Sequence, residues 1–178
     1  PARYMAGDFF DYWLLDHDVV AIVIADVVGK GVPAAMFMAV TRTTLRNFTT
    51  PGHSPRDVLN IANRLIAADN KETMFVTIFY GHYHIPTGEF VFANAGHNPP
   101  YLVRRSGGIE SLGPSTGPVL GVFPEAEYQE ARAVLHPDDL LLLYTDGVTE
   151  AQNHSDQYFG EAGLTALLQR LHGESVTT

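Results

Sequence analysis

The sequence has 178 residues, 46% of them hydrophobic, which is enough for one domain with a substantial core. Acidic residues outnumber basic ones by 20 to 11, and there is no basic cluster, so nucleic acid and anionic membranes are poor candidates as partners. Cysteine is absent, so any metal must be held by oxygen or imidazole, and we expect a cytoplasmic location. No apolar run reaches the roughly 18–20 residues that cross a bilayer, and no signal-peptide pattern is present.

The first elements predict a β-hairpin. Residues 8–15 are β-prone, residues 16–18 (Asp-His-Asp) have the chemistry of a turn, and residues 19–25 form an apolar run. A turn centred near residue 17 pairs position 8 with position 26. Asp8 is therefore expected to lie beside Asp26.

Two amphipathic helices follow. The first is predicted from Pro33 to about Phe48, and the second begins at Ser54, an N-cap followed by Pro55 and an acid at the third position. The side chains on the predicted buried faces are Ala34, Met38, Thr41, Leu45, Phe48, Val58, Ile61, Ala62, Leu65 and Ile66. Other side chains most simply assigned to the core are Phe9, Phe10, Trp13 and Met36.

The rest of the chain predicts short strands with tight turns. They lie at 74–84, 89–93, 101–104, 109–112, 128–134 and 140–144, and a last helix covers 161–171. Such close spacing favours antiparallel pairing, because a parallel crossover needs about a dozen residues or more. Residues 113–124 are rich in Gly and Pro and are predicted to be loop. The expected fold is α+β, a single domain over residues 1–178.

Two apolar strands end in an acid, at Asp26 and at Asp146. For either acid alone, a plain turn is the simpler interpretation. Two carboxylates about 4 Å apart repel by roughly 4 kcal/mol at an effective dielectric of about 20, so together they need a proton or a cation. Asp8 would add a third acid. An all-oxygen ligand set favours Mg²⁺ or Mn²⁺, which polarise phosphoryl oxygens and lower the pKa of bound water.

Gly29-Lys30-Gly31 precedes a helix but lacks the spacing of a Walker A motif, so a nucleotide-binding loop is not expected. Its glycines instead allow the backbone to approach a ligand beside Asp26. His97, in a Gly- and Pro-bounded turn, has two interpretations: a hydrogen-bonding role within the fold, which is simpler, or orienting substrate and protonating a leaving group. Asn94 is similar.

Three other polar residues are weaker candidates. Arg3 lies five residues before Asp8 and could contact phosphate, although charged residues near a terminus are more often solvated. His82 and His84 share one strand face, but no third ligand is near them in the sequence, so a structural role is the simpler interpretation.

Four stretches, in order, resemble the motifs of one enzyme family. They are residues 6–11 (AGDFFD), 26–35 (DVVGKGVPAA), 94–100 (NAGHNPP) and 145–151 (TDGVTEA). They resemble the SpoIIE/RsbU-like branch of the PPM phosphatases, the metal-dependent protein serine/threonine phosphatases of the type 2C kind. The resemblance runs from about residue 2 to the end of the chain.

The resemblance implies an α-β-β-α sandwich of two largely antiparallel sheets flanked by helix pairs. It implies that Asp26 bridges two Mn²⁺ or Mg²⁺ ions, that the Val27 carbonyl and Asp146 each bind one, and that Asp8 is a ligand directly or through water. Metal-activated water would attack the phosphorus of phosphoserine or phosphothreonine without a covalent enzyme intermediate. The expected substrate-side or supporting residues are Gly29, Lys30, Asn94, His97 and Arg3.

The resemblance also implies partners. Family members typically act on small anti-sigma-factor antagonist (STAS) proteins, and they are commonly the output domain of a chain with an N-terminal sensor or receiver domain. We expect both here, while a homodimer stays open because the sequence does not fix the oligomeric state.

Two departures from the family pattern matter. Ala6 replaces the first glycine of a Gly-Gly-Asp motif, and nothing after Asp156 matches the Asp-Asp-x-Thr motif that opens the family's last strand and supplies a further ligand. Truncation or disorder is the favoured explanation. The alternative is a catalytically weak or inactive domain that binds a protein partner. A receiver-like phospho-acceptor at Asp26 is disfavoured by the many hairpins.

Overall fold

The computed structural model describes residues 7–70 and 74–171. Within these ranges the strands and helices are, in chain order, β1 (Phe9–Leu14), β2 (Val19–Val27), α1 (Val32–Phe48), α2 (Pro55–Asp69), β3 (Val76–His84), β4 (Glu89–Ala95), β5 (Tyr101–Val103), β6 (Ile109–Ser111), β7 (Ala131–Val134), β8 (Leu140–Leu142), α3 (Asp146–Thr149) and α4 (Gly160–Leu171). Five strands form one sheet in the order β1-β2-β3-β4-β7, and three form a second in the order β6-β5-β8. Neighbouring strands in both sheets pair antiparallel, as predicted. No helix in the described ranges is long and apolar enough to span a membrane.

Four layers of secondary structure enclose three apolar cores. The first core lies between the helices α1 and α2 and the larger sheet, and includes Leu45 and Tyr80. The second lies between the two sheets and includes Phe79 and Phe92. Phe79 and Tyr80 are neighbours in β3 and serve different cores because successive strand residues face opposite sides. The third core lies between the smaller sheet and α4, around Leu164. This order confirms the predicted α-β-β-α sandwich.

The β1–β2 hairpin has the register expected from the sequence. Phe9 lies opposite Ala25, so extending the same register by one residue places Asp8 opposite Asp26. On its other side, β2 places Asp26 opposite Thr77 of β3. The antiparallel register therefore brings an acid from the edge strand to an acid at the end of the neighbouring strand.

The edge strand β1 is also fixed to α1. The Asp11 carboxylate accepts hydrogen bonds from Arg46 at 2.8 and 3.1 Å and pairs with Arg42 at 2.7 Å. Burial acts to raise the pKa of Asp11, but these two guanidinium groups hold it below its usual value. The Arg46 guanidinium lies 4.8 Å from the centroid of the Trp13 ring, which packs against Tyr80.

The predicted start of α2 is confirmed, but its buried face is rotated. Ser54 and Asp57 form a capping box at the start of the helix. The prediction for Leu65 is wrong: it is 47% exposed. Leu59, in the first core, and Asn63 are buried instead. The Asn63 side chain donates to the Phe123 carbonyl at 2.8 Å and accepts from the Gly121 N–H at 2.9 Å. These bonds join this face of the helix to the 113–124 loop and satisfy the buried amide.

Two other assignments to the core are wrong. Phe10 is 76% exposed and Met36 is 65% exposed. Phe10 faces away from the α1 side of β1, and β1 is the outer strand of the five-stranded sheet, whereas the second sheet has three strands in the described ranges. That side of β1 therefore extends past the cover that the smaller sheet provides.

Several strand boundaries differ from the prediction. β7 begins at Ala131 instead of residue 128, because the backbone N–H groups of Tyr128 and Gln129 bond to Asn60 of α2 and Thr116 of the loop. Strands β3, β5, β6 and β8 are one or two residues shorter than predicted. After β8, Asp146 opens the short helix α3 instead of a plain turn.

A fold prediction concerns Gly81 in β3. A Cβ at this position would lie 2.6 Å from ring carbons of Phe90 and 3.1 Å from the Cβ of Phe92, within the core between the sheets. We expect Gly81→Ala to lower the free energy of unfolding by about 1–3 kcal/mol. The melting temperature, measured by circular dichroism, should fall by roughly 2–4 °C for each kcal/mol of lost stability.

The matched control is Gly108→Ala, where the nearest atom to the new Cβ would be Arg104 Cγ at 3.6 Å. This variant should stay within about 0.5 kcal/mol of the wild type. Equal melting temperatures for the Gly81 variant and the wild type would contradict the tight packing of the second core.

Candidate active site

Acids from three separate sequence motifs come together at one end of the sandwich. Asp8 directly precedes β1, Asp26 lies near the end of β2, and Asp146 begins α3. The Asp26 carboxyl group lies within hydrogen-bonding reach of Asp8 and within electrostatic reach of Asp146 and Glu150. Asp26 is half-buried, and the other three acids are exposed. These four residues, called the acid cluster below, are open to solvent with Asp26 at their base.

The environment of Asp26 favours its neutral form. Burial is the largest contribution, followed by the hydrogen bond to Asp8 and the charges of Asp8, Asp146 and Glu150, and together they raise the pKa of Asp26 from 3.8 to about 7. A crowded group of carboxylates of this kind is stabilised by a proton or a cation at its centre.

Glu150 is the member of the acid cluster that the sequence analysis does not single out. It caps the C-terminal end of α3, where its N–H donates to the Asp146 carbonyl at 2.7 Å. Residues four apart lie on the same face of a helix, so this pair can face one site. The signal that could identify Glu150 is therefore a helical, instead of a turn, interpretation of residues 146–150.

The Val27 carbonyl oxygen provides a test of whether these residues suit a metal ion. A Cβ on Gly7 would lie only 2.6 Å from this oxygen, so a residue without a side chain is needed where the chain passes the Val27 carbonyl beside Asp8. A backbone carbonyl next to a group of carboxylates is an all-oxygen donor set of the type that Mg²⁺ and Mn²⁺ prefer. The chemistry of the donors therefore fits a hard divalent cation.

The acid cluster is not a preformed metal cage. Within residues 7–70 and 74–171, no three His, Asp or Glu side chains are arranged so that together they could hold a metal ion. The Asp8 and Asp26 carboxyl groups instead lie close enough to share a proton when one of them is neutral. Because carboxylate ligands must be deprotonated, binding a cation has to displace this proton.

The loop after β2 is shaped by two glycines. Gly29 and Gly31 have φ values of 94° and 83°, a region that favours glycine, and no neighbouring atom would lie within 4 Å of a Cβ at either position. Lys30, between them, is exposed. The loop therefore presents a cationic side chain to solvent four residues after Asp26.

Asn94 and His97 hold each other in a buried turn. The Asn94 side chain accepts from the His97 N–H at 2.8 Å and donates to the His97 carbonyl at 3.0 Å. The ring nitrogens of His97 lie 2.9 Å from Thr77 Oγ1 and 3.2 Å from the Tyr144 carbonyl oxygen. Burial lowers the pKa of His97, and the residue is only 4% exposed. This geometry favours a hydrogen-bonding role over contact with substrate.

The weaker candidates lie elsewhere or have other partners. Arg3, like Ala6, lies outside the described residues. His82 Nε2 is 2.7 Å from the Tyr80 hydroxyl, and burial lowers the pKa of His82 to about 4. His84 Nδ1 is 2.6 Å from Thr87 Oγ1. These hydrogen bonds support the structural interpretation of both histidines.

Comparison with known proteins gives the family. The profile of the family described as Stage II sporulation protein E (SpoIIE) matches residues 16–178. The chain belongs to the SpoIIE family. Asp26 and Asp146 fall inside the matched segment, and Asp8 precedes it.

Relatives with known names cover most of the chain. Protein IcfG of Synechocystis is 36% identical over an alignment of 195 positions, which covers 94% of this chain and 31% of the relative. Phosphoserine phosphatase RsbU of Bacillus subtilis is 32% identical over 155 residues, 87% of this chain and 46% of the relative. The chain thus spans less than half the length of either curated relative.

A solved structure supports the same fold. The RsbU and RsbW domains of Rv1364c from Mycobacterium tuberculosis superpose with a TM-score of 0.79 at 30% identity, over 92% of this chain and 45% of that chain. The antiparallel sheets also exclude the receiver-like alternative, whose doubly wound sheet is parallel.

The crowding of the acid cluster predicts how stability depends on pH. Because the pKa of Asp26 is raised from 3.8 to about 7, the folded protein binds a proton that the unfolded chain has lost. The free energy of unfolding of the metal-free protein should therefore fall as the pH rises from about 4 to about 7. Asp26→Asn should remove this decrease in the free energy of unfolding, because an amide does not ionise. Allowing for solvent screening, we expect it to stabilise the protein by about 1 kcal/mol at about pH 8, with a smaller gain at about pH 5.

The measurement is thermal unfolding in EDTA, where the variant should melt roughly 2–4 °C higher at the alkaline pH. Asp138→Asn is the control, since the Asp138 side chain is 70% exposed and its ion pair, with exposed Arg105, is long at 3.4 Å. A variant of Asp26 that melts below the wild type at both pH values would contradict the electrostatic account.

Proposed function

We propose that this chain is the catalytic domain of a metal-dependent phosphoprotein phosphatase that hydrolyses phosphoserine or phosphothreonine. The observation that carries the proposal is the meeting of Asp8, Asp26 and Asp146 in one solvent-open acid cluster. The name of the relative RsbU, a phosphoserine phosphatase, supports the reaction class. The donor chemistry of the cluster and the Val27 carbonyl supports Mn²⁺ or Mg²⁺ as the cofactor.

The proposed roles follow from the position of each group. Asp26, half-buried between the other acids, would lie between two ions, while Asp146 and the Val27 carbonyl would each hold one, and Asp8 would act directly or through water. When bound, the ions would activate a water for attack on phosphorus and offset charge on the phosphoryl oxygens. The exposed ammonium group of Lys30 would attract the phosphate of the substrate in a chain whose formal charge is −9.

The proposed substrate is a phosphorylated regulatory protein of the anti-sigma-factor antagonist (STAS) kind. This part of the proposal rests on the SpoIIE-family resemblance and on the likeness to RsbU. The chain spans 31% of IcfG and 46% of RsbU, so both relatives contain further segments. We infer that the parent protein likewise has a sensor or receiver segment N-terminal to this domain.

A second candidate function is a catalytically weak or inactive domain that binds a regulatory protein. The observation that favours it is that no three acids in the described part of the chain are already arranged to hold a metal ion together. The family's Asp-Asp-x-Thr motif, absent after Asp156, would supply a further acid. The two candidates differ in whether metal restores turnover.

The decisive test is hydrolysis of a phosphoserine peptide by the full-length protein with Mn²⁺. Activity should disappear in EDTA and return with Mn²⁺ or Mg²⁺, and Asp26→Ala should lower kcat/KM by about 10³-fold or more, since it removes the central ligand. The exposed acid variant Asp138→Asn should retain wild-type activity. Turnover that survives both EDTA and Asp26→Ala would refute the metal-dependent mechanism, and absence of turnover with Mn²⁺ would favour the binding module.

A further inference from the structure

The His97 ring connects the two parts of the fold that carry Asp26 and Asp146. On one side, Nδ1 lies 2.9 Å from the Thr77 hydroxyl, and Thr77 is the β3 residue directly opposite Asp26. On the other side, Nε2 lies 3.2 Å from the carbonyl oxygen of Tyr144, two residues before Asp146. One buried side chain thus spans from the larger sheet to the segment that follows the smaller sheet.

The direction of both hydrogen bonds follows from the chemistry of the partners. The Tyr144 carbonyl oxygen can only accept, so Nε2 carries the hydrogen. In a neutral ring, Nδ1 is then an acceptor, and the Thr77 hydroxyl donates to it. Burial lowers the pKa of His97, which is consistent with a neutral ring. The Thr77 hydroxyl also lies 3.4 Å from the Asp26 carbonyl, a longer and weaker alternative.

Both ends of this connection are anchored. The backbone of His97 is held by the two hydrogen bonds of the buried Asn94 side chain, at 2.8 and 3.0 Å. The Tyr144 ring stacks on Tyr101 with centroids 5.9 Å apart, and the Tyr144 residue is only 4% exposed. The His97 ring therefore has little freedom to shift relative to either sheet.

We propose that His97 is a positioning residue whose two ring hydrogen bonds fix the separation of Asp26 from Asp146, and so set the affinity of the acid cluster for a divalent cation. The inference rests on the proposed function, because it assigns His97 a role in the same site. It follows from the general sensitivity of metal affinity to outer-shell hydrogen bonds that orient ligands. His97 itself touches neither metal nor substrate in this role.

The test is calorimetric titration of metal-free full-length protein with MnCl₂, together with thermal unfolding of each variant. Thr77→Val removes the hydroxyl at nearly constant shape, and His97→Phe keeps a planar ring without nitrogens. Each should weaken Mn²⁺ binding by about tenfold or more. The double variant should bind Mn²⁺ about as tightly as the single variant with the lower affinity, because both substitutions break the same connection.

Two controls separate positioning from stability. Thr77→Ser keeps the hydroxyl and should restore the Mn²⁺ dissociation constant to within about twofold of the wild type. His82→Phe removes a half-buried histidine of β3, one bonded to the Tyr80 hydroxyl at 2.7 Å, and should lower the melting temperature without changing Mn²⁺ binding. If His97→Phe does not fold, the Thr77→Val and Thr77→Ser pair carries the test.

Unchanged Mn²⁺ binding by Thr77→Val would overturn the inference while leaving the proposed function intact. The same holds if His82→Phe weakens binding as much as His97→Phe, since the effect would then follow stability alone. Absence of Mn²⁺ binding by the wild type would instead contradict the proposed function, and this inference with it.

Discussion

Repulsion between carboxylates held together at Asp26 is the constraint on which the rest of the site depends. The register of the β1–β2 hairpin brings Asp8 opposite Asp26, and α3 brings Asp146 and Glu150 within electrostatic reach. Left without a cation, this arrangement is stabilised only by a proton, and ionising it costs stability. The fold must therefore supply enough favourable packing elsewhere to hold like charges in one place.

The three apolar cores and the polar contacts at their edges supply that support. Arg42 and Arg46 of α1 fix β1 to the helix layer through Asp11. The strand that follows Asp8 is therefore held both by these ion pairs and by its pairing with β2. His97 ties the segment before Asp146 to β3. Each acid of the proposed site is thus attached to a different rigid element, and the attachments converge where the two sheets end. Functional sites commonly retain such locally unfavourable groups because the surrounding structure compensates for them.

Much of this arrangement is predictable from sequence because it is local. The turn at residues 16–18 and the apolar alternation around it are enough to predict the register that pairs position 8 with position 26. The buried stripe of α2 is not local. It depends on Asn63, whose partners Gly121 and Phe123 lie about 60 residues further along the chain. Asn is normally expected at the surface, so its burial could not be predicted without knowing those partners.

In the site, too, the features set by local sequence are predictable, and those set by distant contacts are not. The motifs around Asp8, Asp26 and Asp146 predict that these acids meet, since each follows or precedes a strand end. Glu150 is missed because Asp146-Gly147 has the local signature of a turn, and tertiary context instead gives a helix that points both acids to one place. His97 is identified by its motif, but the Thr77 and Tyr144 contacts that explain it join residues 20 and 47 positions away.

The indole of Trp13 gives this molecule a built-in optical reporter. It is the only tryptophan of the chain, lies on the strand that follows Asp8, and is placed between the Arg46 guanidinium and the Tyr80 ring. Its emission therefore comes from one known position at the junction of the edge strand and the helix layer. Any event that loosens that junction changes the polarity and the quenching around a single fluorophore.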